Sequence, residues 1–349
     1  MEYRYLGNSG LKVSLLSFGN MTTGLEVFKG GKDECNSEIE AHNFELIKTC
    51  VDNGITFFDT AELYGLGVSE IILGKNLKQG GWDRDDLSIS TKLVPTKGGI
   101  QGNSRKRMRV GVKQSLQRLQ LENVDILYLH RYDYDVPILE QIKTMNEFID
   151  QDLTYYWGTS EFTSSQLEEI FYLCNKHGLI PPIADQCQYN MFARKIFEVE
   201  YAPLFDNYKL GTTIWSPLAA GLLSGKYNDG NIPEGSRYAT IPIYKRRYAE
   251  NIGWRADKGV EMFAGLKQIS DDLGCTQSQL ALAWAIKNPD VSTAIFGTND
   301  KRQIIENIEA IGVAKKLDNA LLEKIEKLLN NRPSPALNWR TFTPREFRR

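Results

Sequence analysis

Eight short β-rich runs recur along the chain, and amphipathic helical stretches separate them. The runs lie at residues 15–20, 56–60, 87–93, 125–131, 155–160, 184–190, 212–218 and 292–298. In the stretch 104–121, apolar residues recur at spacings of three and four, at Met108, Val112, Leu116 and Leu119. Strands separated by helices pair in parallel, and eight of them close a (β/α)8 TIM barrel. A doubly wound open sheet is the alternative, but it usually begins with a glycine-rich nucleotide turn that this chain lacks.

Three segments extend beyond a bare barrel. Residues 3–16 predict a β-hairpin that plugs the barrel before its first strand. Residues 219–255 form a Gly-, Pro- and Tyr-rich loop after the seventh strand, longer than a structural connection needs. An amphipathic helix over 317–331 follows the last barrel helix, and residues 332–349 form an irregular basic tail. We therefore expect one domain over 1–349. The stretch 163–178 begins with a capping-box pattern and ends at a glycine.

Composition excludes several classes of function. The 42 basic and 44 acidic residues nearly cancel, which argues against a nucleic-acid or membrane-surface partner. No stretch approaches the ~18 apolar residues of a membrane span, so we expect no membrane insertion. The five cysteines are far apart and contain no CxxC pair, which favours a reducing, cytoplasmic setting. Three scattered histidines predict no metal site.

Polar residues stand at the ends of successive apolar runs. The carboxyl ends of barrel strands converge on one site, and here they carry Asp59, Lys92, His130, Ser160, Gln186 and Trp215. A buried lysine is costly unless it is paired, and Asp59 lies one strand from Lys92. Tyr64 follows Asp59 in the next loop, where a neighbouring ammonium group favours loss of its proton.

Each of these residues also has an ordinary structural explanation. Asp59 can end a strand in a turn, and Lys92 can bury its aliphatic stem while its ammonium group reaches solvent. His130 can be a hydrogen-bonded histidine of the core. Their occurrence at consecutive strand ends favours a shared catalytic site instead.

Longer segments carry a family resemblance. They are YRYLGNSGLKVSLLSFG, DNGITFFDTAELYG, GWDRDDLSISTK, SLQRLQLENVDILYLHR, YWGTSEF, DQCQYNMF, TIWSPLAAGLLSGKY and GTNDKRQIIENI. With these the chain resembles the aldo-keto reductase superfamily, specifically its voltage-gated potassium channel β-subunit branch. The resemblance covers nearly the whole chain and implies a TIM barrel.

The resemblance implies an NADPH-dependent oxidoreductase that reduces aldehydes or ketones by hydride transfer. The family's catalytic tetrad falls on Asp59, Tyr64, Lys92 and His130. Tyr64 is then the general acid, Lys92 and Asp59 tune its pKa, and His130 orients the carbonyl.

The same resemblance assigns residues to NADP(H). Ser160 and Gln186 hold the carboxamide, and Trp215 stacks on the nicotinamide ring. The remaining cofactor positions are Gly19, Asn20, Met21, Asp59, Ser216, Pro217, Leu218, Gly221, Lys226, Tyr227, Arg237, Gly297, Asn299, Gln303, Glu306 and Asn307.

The segment 297–307 predicts a preference for NADP over NAD. It places Lys301 and Arg302 at a helix start, where free N–H groups favour an anion. Asp300 is the expected N-cap, bonding toward Gln303. The alternative explanation is a solvated, charged helix start.

Two departures from the family pattern bear on function. Glu161 stands where the family usually has an asparagine that contacts the nicotinamide amide. His130 stands where channel β-subunits of that branch have asparagine, which favours turnover. A second class of function stays open, in which the protein is a channel β-subunit-like assembly component that uses bound NADP(H) structurally or as a redox sensor. For that class the resemblance implies a homo-tetramer with a channel or other protein partner.

Overall fold

A closed barrel of eight parallel strands forms the centre of the molecule. The computed structural model describes residues 1–24, 37–95, 102–241 and 256–334. The barrel strands, in chain order, are β3 (Leu16–Gly19), β4 (Phe57–Asp59), β5 (Ser88–Leu93), β6 (Val124–Leu129), β7 (Thr154–Ser160), β8 (Ala184–Gln186), β9 (Gly211–Trp215) and β10 (Thr293–Phe296). Each strand pairs with its neighbours in sequence, and β10 closes the barrel against β3. The predicted TIM barrel is confirmed, and the open sheet is excluded.

Helices surround the barrel on its outer face. They are α1 (Ser37–Asp52), α2 (Val68–Gly80), α3 (Arg105–Leu119), α4 (Ile138–Asp150), α5 (Ser164–His177), α6 (Ala202–Tyr208), α7 (Arg237–Thr240), α8 (Ala256–Leu273), α9 (Gln277–Lys287), α10 (Lys301–Lys316) and α11 (Asn319–Leu329). The predicted capping box is present, because Thr163 and Gln166 bond each other's backbone N–H groups. In α3, Met108, Val112, Leu116 and Leu119 all face the core, as their spacing predicts.

The N-terminal hairpin closes the amino end of the barrel. Strands β1 (Tyr3–Tyr5) and β2 (Lys12–Ser14) pair antiparallel, as predicted. Leu6 and Val13 pack into an apolar cluster with barrel side chains from β4, β6 and β8. Gly7 has φ +58°, and a Cβ there would lie 2.2 Å from the Ile183 carbonyl oxygen. Only glycine lets the hairpin approach the barrel this closely.

The remaining segments lie at the carboxyl side of the chain. Helix α11 is present where an additional amphipathic helix was expected. Residues 242–255 of the long loop and residues 335–349 of the basic tail lie outside the described residues. None of the helices in the described part of the chain is long and apolar enough to cross a membrane.

Candidate active site

A buried ion pair lies at the carboxyl end of the barrel. Lys92 Nζ donates to Asp59 Oδ2 at 2.5 Å and to the Thr60 carbonyl oxygen at 2.7 Å. The Lys92 side chain is fully buried, and Asp59 is almost so. The other carboxylate oxygen of Asp59 accepts from Ser90 Oγ at 2.7 Å and from Gln186 Nε2 at 3.0 Å. These hydrogen bonds on both sides offset part of the free-energy cost of burying the pair.

Tyr64 completes a connected group with this pair. Lys92 Nζ lies 3.3 Å from the Tyr64 hydroxyl oxygen and 4.7 Å from its ring centroid. Tyr64 begins a tight 3-10 turn, Tyr64–Gly67, in which residues 65, 66 and 67 all have positive φ. The glycines of this turn allow that conformation, which holds the tyrosine over the strand ends.

The net pKa shift of Tyr64 differs in sign from the sequence expectation. Burial raises the pKa of Tyr64 above its usual value, and the Lys92 charge opposes that rise. The expected effect of the ammonium group is therefore present but smaller than the cost of ionising a buried phenol. Tyr64 remains a protonated donor at neutral pH.

His130 lies beside Tyr64 as a neutral imidazole. The two rings meet edge to face with centroids 5.9 Å apart. Burial, with the nearby charges of Lys92 and Arg131, holds the pKa of His130 well below its usual value. Its Nδ1 is buried with no hydrogen-bond partner among the described residues. In the described structure the neutral ring therefore has a buried nitrogen without a hydrogen bond, which is unusual for a structural histidine.

The ends of β7, β8 and β9 form the adjoining wall. Ser160 Oγ donates to the Gln186 carbonyl oxygen at 2.9 Å and accepts from Arg131 Nη1 at 3.0 Å. Because the Gln186 amide nitrogen donates to Asp59, its Oε1 is the atom left for a ligand. Trp215 is partly exposed, and its Nε1 donates to Glu161 Oε1 at 2.8 Å. The structure thus brings together three of the predicted nicotinamide residues.

The loop after β9 carries two neighbouring cations. Lys226 packs against Gly221, and its pKa is lowered, first by burial and then by the charge of Arg237. No carboxylate forms an ion pair with either cation in the described ranges. Tyr227 is fully buried beside Lys226. Two neighbouring cations without an acidic partner in the described ranges suit a bound phosphate or diphosphate group.

The start of this loop is strongly bent. Ser216, Ala219 and Ala220 have positive φ, and Pro217 and Leu218 lie between them. The Ala220 N–H bonds Ser216 Oγ, and the Gly221 N–H bonds the Leu218 carbonyl oxygen. These backbone donors are used within the loop, so the cations of the loop are better placed to receive an anion than its N–H groups.

A second buried amide lies at the end of β3. Gly19 pairs in register with Asp59, and Met21 follows in a short 3-10 turn. Asn20 is fully buried, and neither amide atom has a partner among the described residues. Such an atom pair costs free energy unless a ligand satisfies it. Asn20 therefore fits the expected cofactor site.

Helix α10 and the residues just before it carry the remaining predicted cofactor positions. Gly297 lies beside Gly19 at the barrel end, and the Asn299 carbonyl oxygen lies 2.9 Å from His42 Nε2. Gln303 accepts from Thr298, and Asn307 is buried. Glu306 instead accepts from Thr276 Oγ1 at 2.7 Å, on the side of α9.

Asp300 is the N-cap of α10, as predicted, but its partner differs. Its side chain accepts from the Arg302 N–H at 2.9 Å rather than from Gln303, and it also pairs with the Arg302 guanidinium. Lys301 is exposed beside them. The carboxylate is thus partly neutralised by a neighbouring arginine.

Comparison with known proteins identifies the family. The Aldo/keto reductase family model matches residues 16–330. The chain belongs to the aldo/keto reductase family. Members of this family are NAD(P)-dependent oxidoreductases that generally bind nicotinamide cofactors.

Several relatives carry channel names. The chain is 41% identical over 342 residues to a probable voltage-gated potassium channel subunit beta of Arabidopsis thaliana, covering 97% of this chain and 100% of that protein. A protein of the same name from Oryza sativa subsp. japonica is 39% identical, over 97% and 100% of the two chains. A putative voltage-gated potassium channel subunit beta of Schizosaccharomyces pombe is 40% identical, over 95% and 94%. The predicted channel β-subunit-like branch is confirmed.

This aldo/keto reductase fold also depends on residues that the sequence reasoning missed. Glu62 accepts from the Val94 N–H at 2.8 Å and from Arg107 Nη2 at 2.7 Å, which anchors the loop that carries Tyr64. Ser90 orients Asp59, and Arg131 joins Ser160. Glu62 stands inside the quoted DTAELYG motif, so the motif itself contained that signal.

Proposed function

We propose that this protein is an NADPH-dependent reductase of aldehydes or ketones, with Asp59, Tyr64, Lys92 and His130 as its catalytic residues. The observation that carries the proposal is the continuous contact from Asp59 through Lys92 to the Tyr64 hydroxyl. Burying an ammonium group costs free energy, so its position against a tyrosine hydroxyl favours a role in catalysis over a role in stability. In a reductase the tyrosine gives up its proton, and the ammonium group stabilises the phenolate left behind.

Each residue has a defined task in this proposal. NADPH, when held at the strand ends, would supply a hydride for the carbonyl carbon. Tyr64 donates its hydroxyl proton to the carbonyl oxygen, so the product is an alcohol. Lys92 stabilises the phenolate, and the ion pair with Asp59 holds Lys92 in place. His130, as a neutral donor, orients the carbonyl oxygen toward Tyr64.

The residues present fit a nicotinamide dinucleotide. Ser160 and Gln186 offer acceptor oxygens to the carboxamide, and Trp215 offers a ring face to the nicotinamide. The buried Asn20 amide, which has no hydrogen-bond partner among the described residues, gives further support to a ligand at this end of the barrel. Lys226 and Arg237, which have no acidic partner among the described residues, supply positive charge for the phosphates. The additional phosphate of NADP makes such charge more valuable than it would be for NAD.

The names of the relatives favour a second candidate function. They favour a channel β-subunit-like or other assembly component. For that role we propose a homo-tetramer that uses bound cofactor structurally or as a redox sensor. The two functions are compatible in one molecule, because channel binding needs an outer surface and reduction needs the strand ends.

A single-turnover experiment tests the proposed reductase. Purified protein is loaded with NADPH, freed of excess cofactor, and mixed with a panel of aldehydes and ketones while cofactor absorbance is followed. We expect oxidation of bound cofactor by some carbonyls, with one alcohol formed per cofactor consumed. Native mass is measured in the same preparation. Binding of cofactor without oxidation by any carbonyl would favour the assembly function instead.

A further inference from the structure

Glu161 occupies a strained and well-connected position at the end of β7. Its φ is +61°, a conformation that costs free energy for a residue other than glycine. Its Oε1 accepts from the Gln188 N–H at 2.6 Å and from Trp215 Nε1 at 2.8 Å. The carboxylate thus connects the ends of three adjacent strands and holds the indole edge of Trp215. Charge-assisted bonds of this kind are stronger and more directional than neutral ones.

A second acid lies directly behind this carboxylate. Asp185 is fully buried and accepts from Thr159 Oγ1 at 2.6 Å and from the Tyr201 hydroxyl at 3.0 Å. Burial, together with the charge of Glu161, raises the pKa of Asp185 to about 7. Neither acid forms an ion pair with a lysine, arginine or histidine in the described ranges. Within the described residues, the Glu161 carboxylate therefore lies behind Trp215 without a paired cation.

We infer that Glu161 tightens the binding of the oxidised cofactor relative to the reduced one. The inference rests on the proposed function, in which Trp215 stacks on the nicotinamide ring. That ring is positively charged in NADP+ and uncharged in NADPH. The carboxylate stabilises the charged ring directly, and its bond to the indole N–H makes the indole face more electron-rich. A cation over an electron-rich aromatic face is attracted to it.

The consequence concerns hydride transfer. A site that favours NADP+ makes bound NADPH a stronger reductant, because release of the hydride creates the charge that Glu161 stabilises. An uncharged side chain at this position gives no such bias. Glu161 is thus a positioning residue for Trp215 and an electrostatic determinant of the cofactor's redox balance.

Two variants separate charge from geometry. Glu161→Gln removes the charge but retains an oxygen that accepts from both the Gln188 N–H and the Trp215 indole. Glu161→Asp retains the charge but shortens the side chain. Glu168→Gln is the matched control, because Glu168 is bonded to Tyr208 on the outer helices. Dissociation constants for NADP+ and NADPH are measured by calorimetry, and thermal unfolding verifies that each variant is folded.

We expect the ratio Kd(NADP+)/Kd(NADPH) to rise about tenfold in Glu161→Gln, the size of one partly screened charge interaction. Glu161→Asp and Glu168→Gln should keep the wild-type ratio. An unchanged ratio in Glu161→Gln, or an equal weakening of both cofactors, would overturn the inference. If Glu161→Gln does not fold, the uncharged Glu161→Ala decides, and an unchanged ratio there would overturn the inference. Wild-type protein that binds neither cofactor would overturn the proposed function as well.

Discussion

The two ends of the barrel differ in the polarity of their buried side chains. At the amino end, Leu6 and Val13 of the hairpin pack against Phe57 and Ile126, all fully buried. At the carboxyl end lie a buried ion pair and, at Asn20 and His130, buried polar atoms that have no partner within the described part of the chain. Asp59 lies only two residues after Phe57 on one strand, so the change happens within a few ångströms.

The difference separates stability from function. Apolar burial stabilises the amino end and needs no ligand. The buried ion pair and the polar atoms of Asn20 and His130 stabilise the carboxyl end less than apolar burial would. Their presence therefore favours a role in binding and chemistry. Changes at the first end should therefore lower stability without altering turnover. Substitutions at the carboxyl end should alter turnover. They should lower stability only where a buried charge loses its partner.

The largest expected effect is on turnover in Tyr64→Phe. Loss of the hydroxyl removes the proposed proton donor, so carbonyl reduction should fall by about two to four orders of magnitude. NADPH affinity and unfolding temperature should stay near the wild-type values, because the ring is retained. Tyr134→Phe is the control, since Tyr134 is exposed and its hydroxyl bonds Gln166. Near-normal single-turnover rates in Tyr64→Phe would refute the assignment.

Asp59→Asn should damage both properties together. The substitution leaves the Lys92 ammonium buried without its counter-charge, which typically costs about 3–5 kcal/mol of unfolding free energy. Burial is the main cause of the raised pKa of Tyr64, and the negative charge of Asp59 adds to it. Its removal should therefore shift the alkaline limb of the activity profile to lower pH. Denaturant unfolding and a pH profile measure the two effects.

Asp125→Asn is the matched control for that substitution. Asp125 is buried and pairs with Arg84 Nη2 at 2.6 Å, but it stands at the start of β6. It should lower stability and leave both turnover per folded molecule and the alkaline limb unchanged. A wild-type pH profile in Asp59→Asn would contradict the proposed coupling of Asp59 to Tyr64.

Leu6→Ala tests the amino end by itself. Truncation of a fully buried leucine in a packed cluster typically costs about 2–5 kcal/mol of unfolding free energy. Turnover per folded molecule at a temperature well below the transition should remain that of the wild type. Urea unfolding and initial rates on the same preparation provide the measurement. A loss of turnover larger than the loss of folded protein would show that the two ends are coupled.

The sequence was sufficient for features that depend on spacing. Alternation of strands and helices predicted the barrel, and the polar strand ends predicted that Asp59 and Lys92 would meet. Features that depend on burial or local backbone were not predictable in the same way. The net pKa of Tyr64 depends on how deeply the fold buries its hydroxyl. The bond from Glu161 to Trp215 depends on a positive φ that glutamate rarely adopts. Glu306 bonds toward α9 because of helix packing that no motif encodes.

The smallest expected effect concerns the choice between NADP and NAD. Arg237 and Lys226 lie together without an acidic partner among the described residues, and Lys301 is exposed at the start of α10. NADPH should bind at least about tenfold more tightly than NADH, a difference of about 1.4 kcal/mol. Arg237→Ala should reduce that preference by weakening NADPH and leaving NADH nearly unchanged, because only NADPH carries the additional phosphate. Arg109→Ala removes a surface arginine that pairs with Glu147 and should leave the preference intact. Equal dissociation constants for the two cofactors in the wild type would rule out a phosphate-selective site at this end of the barrel.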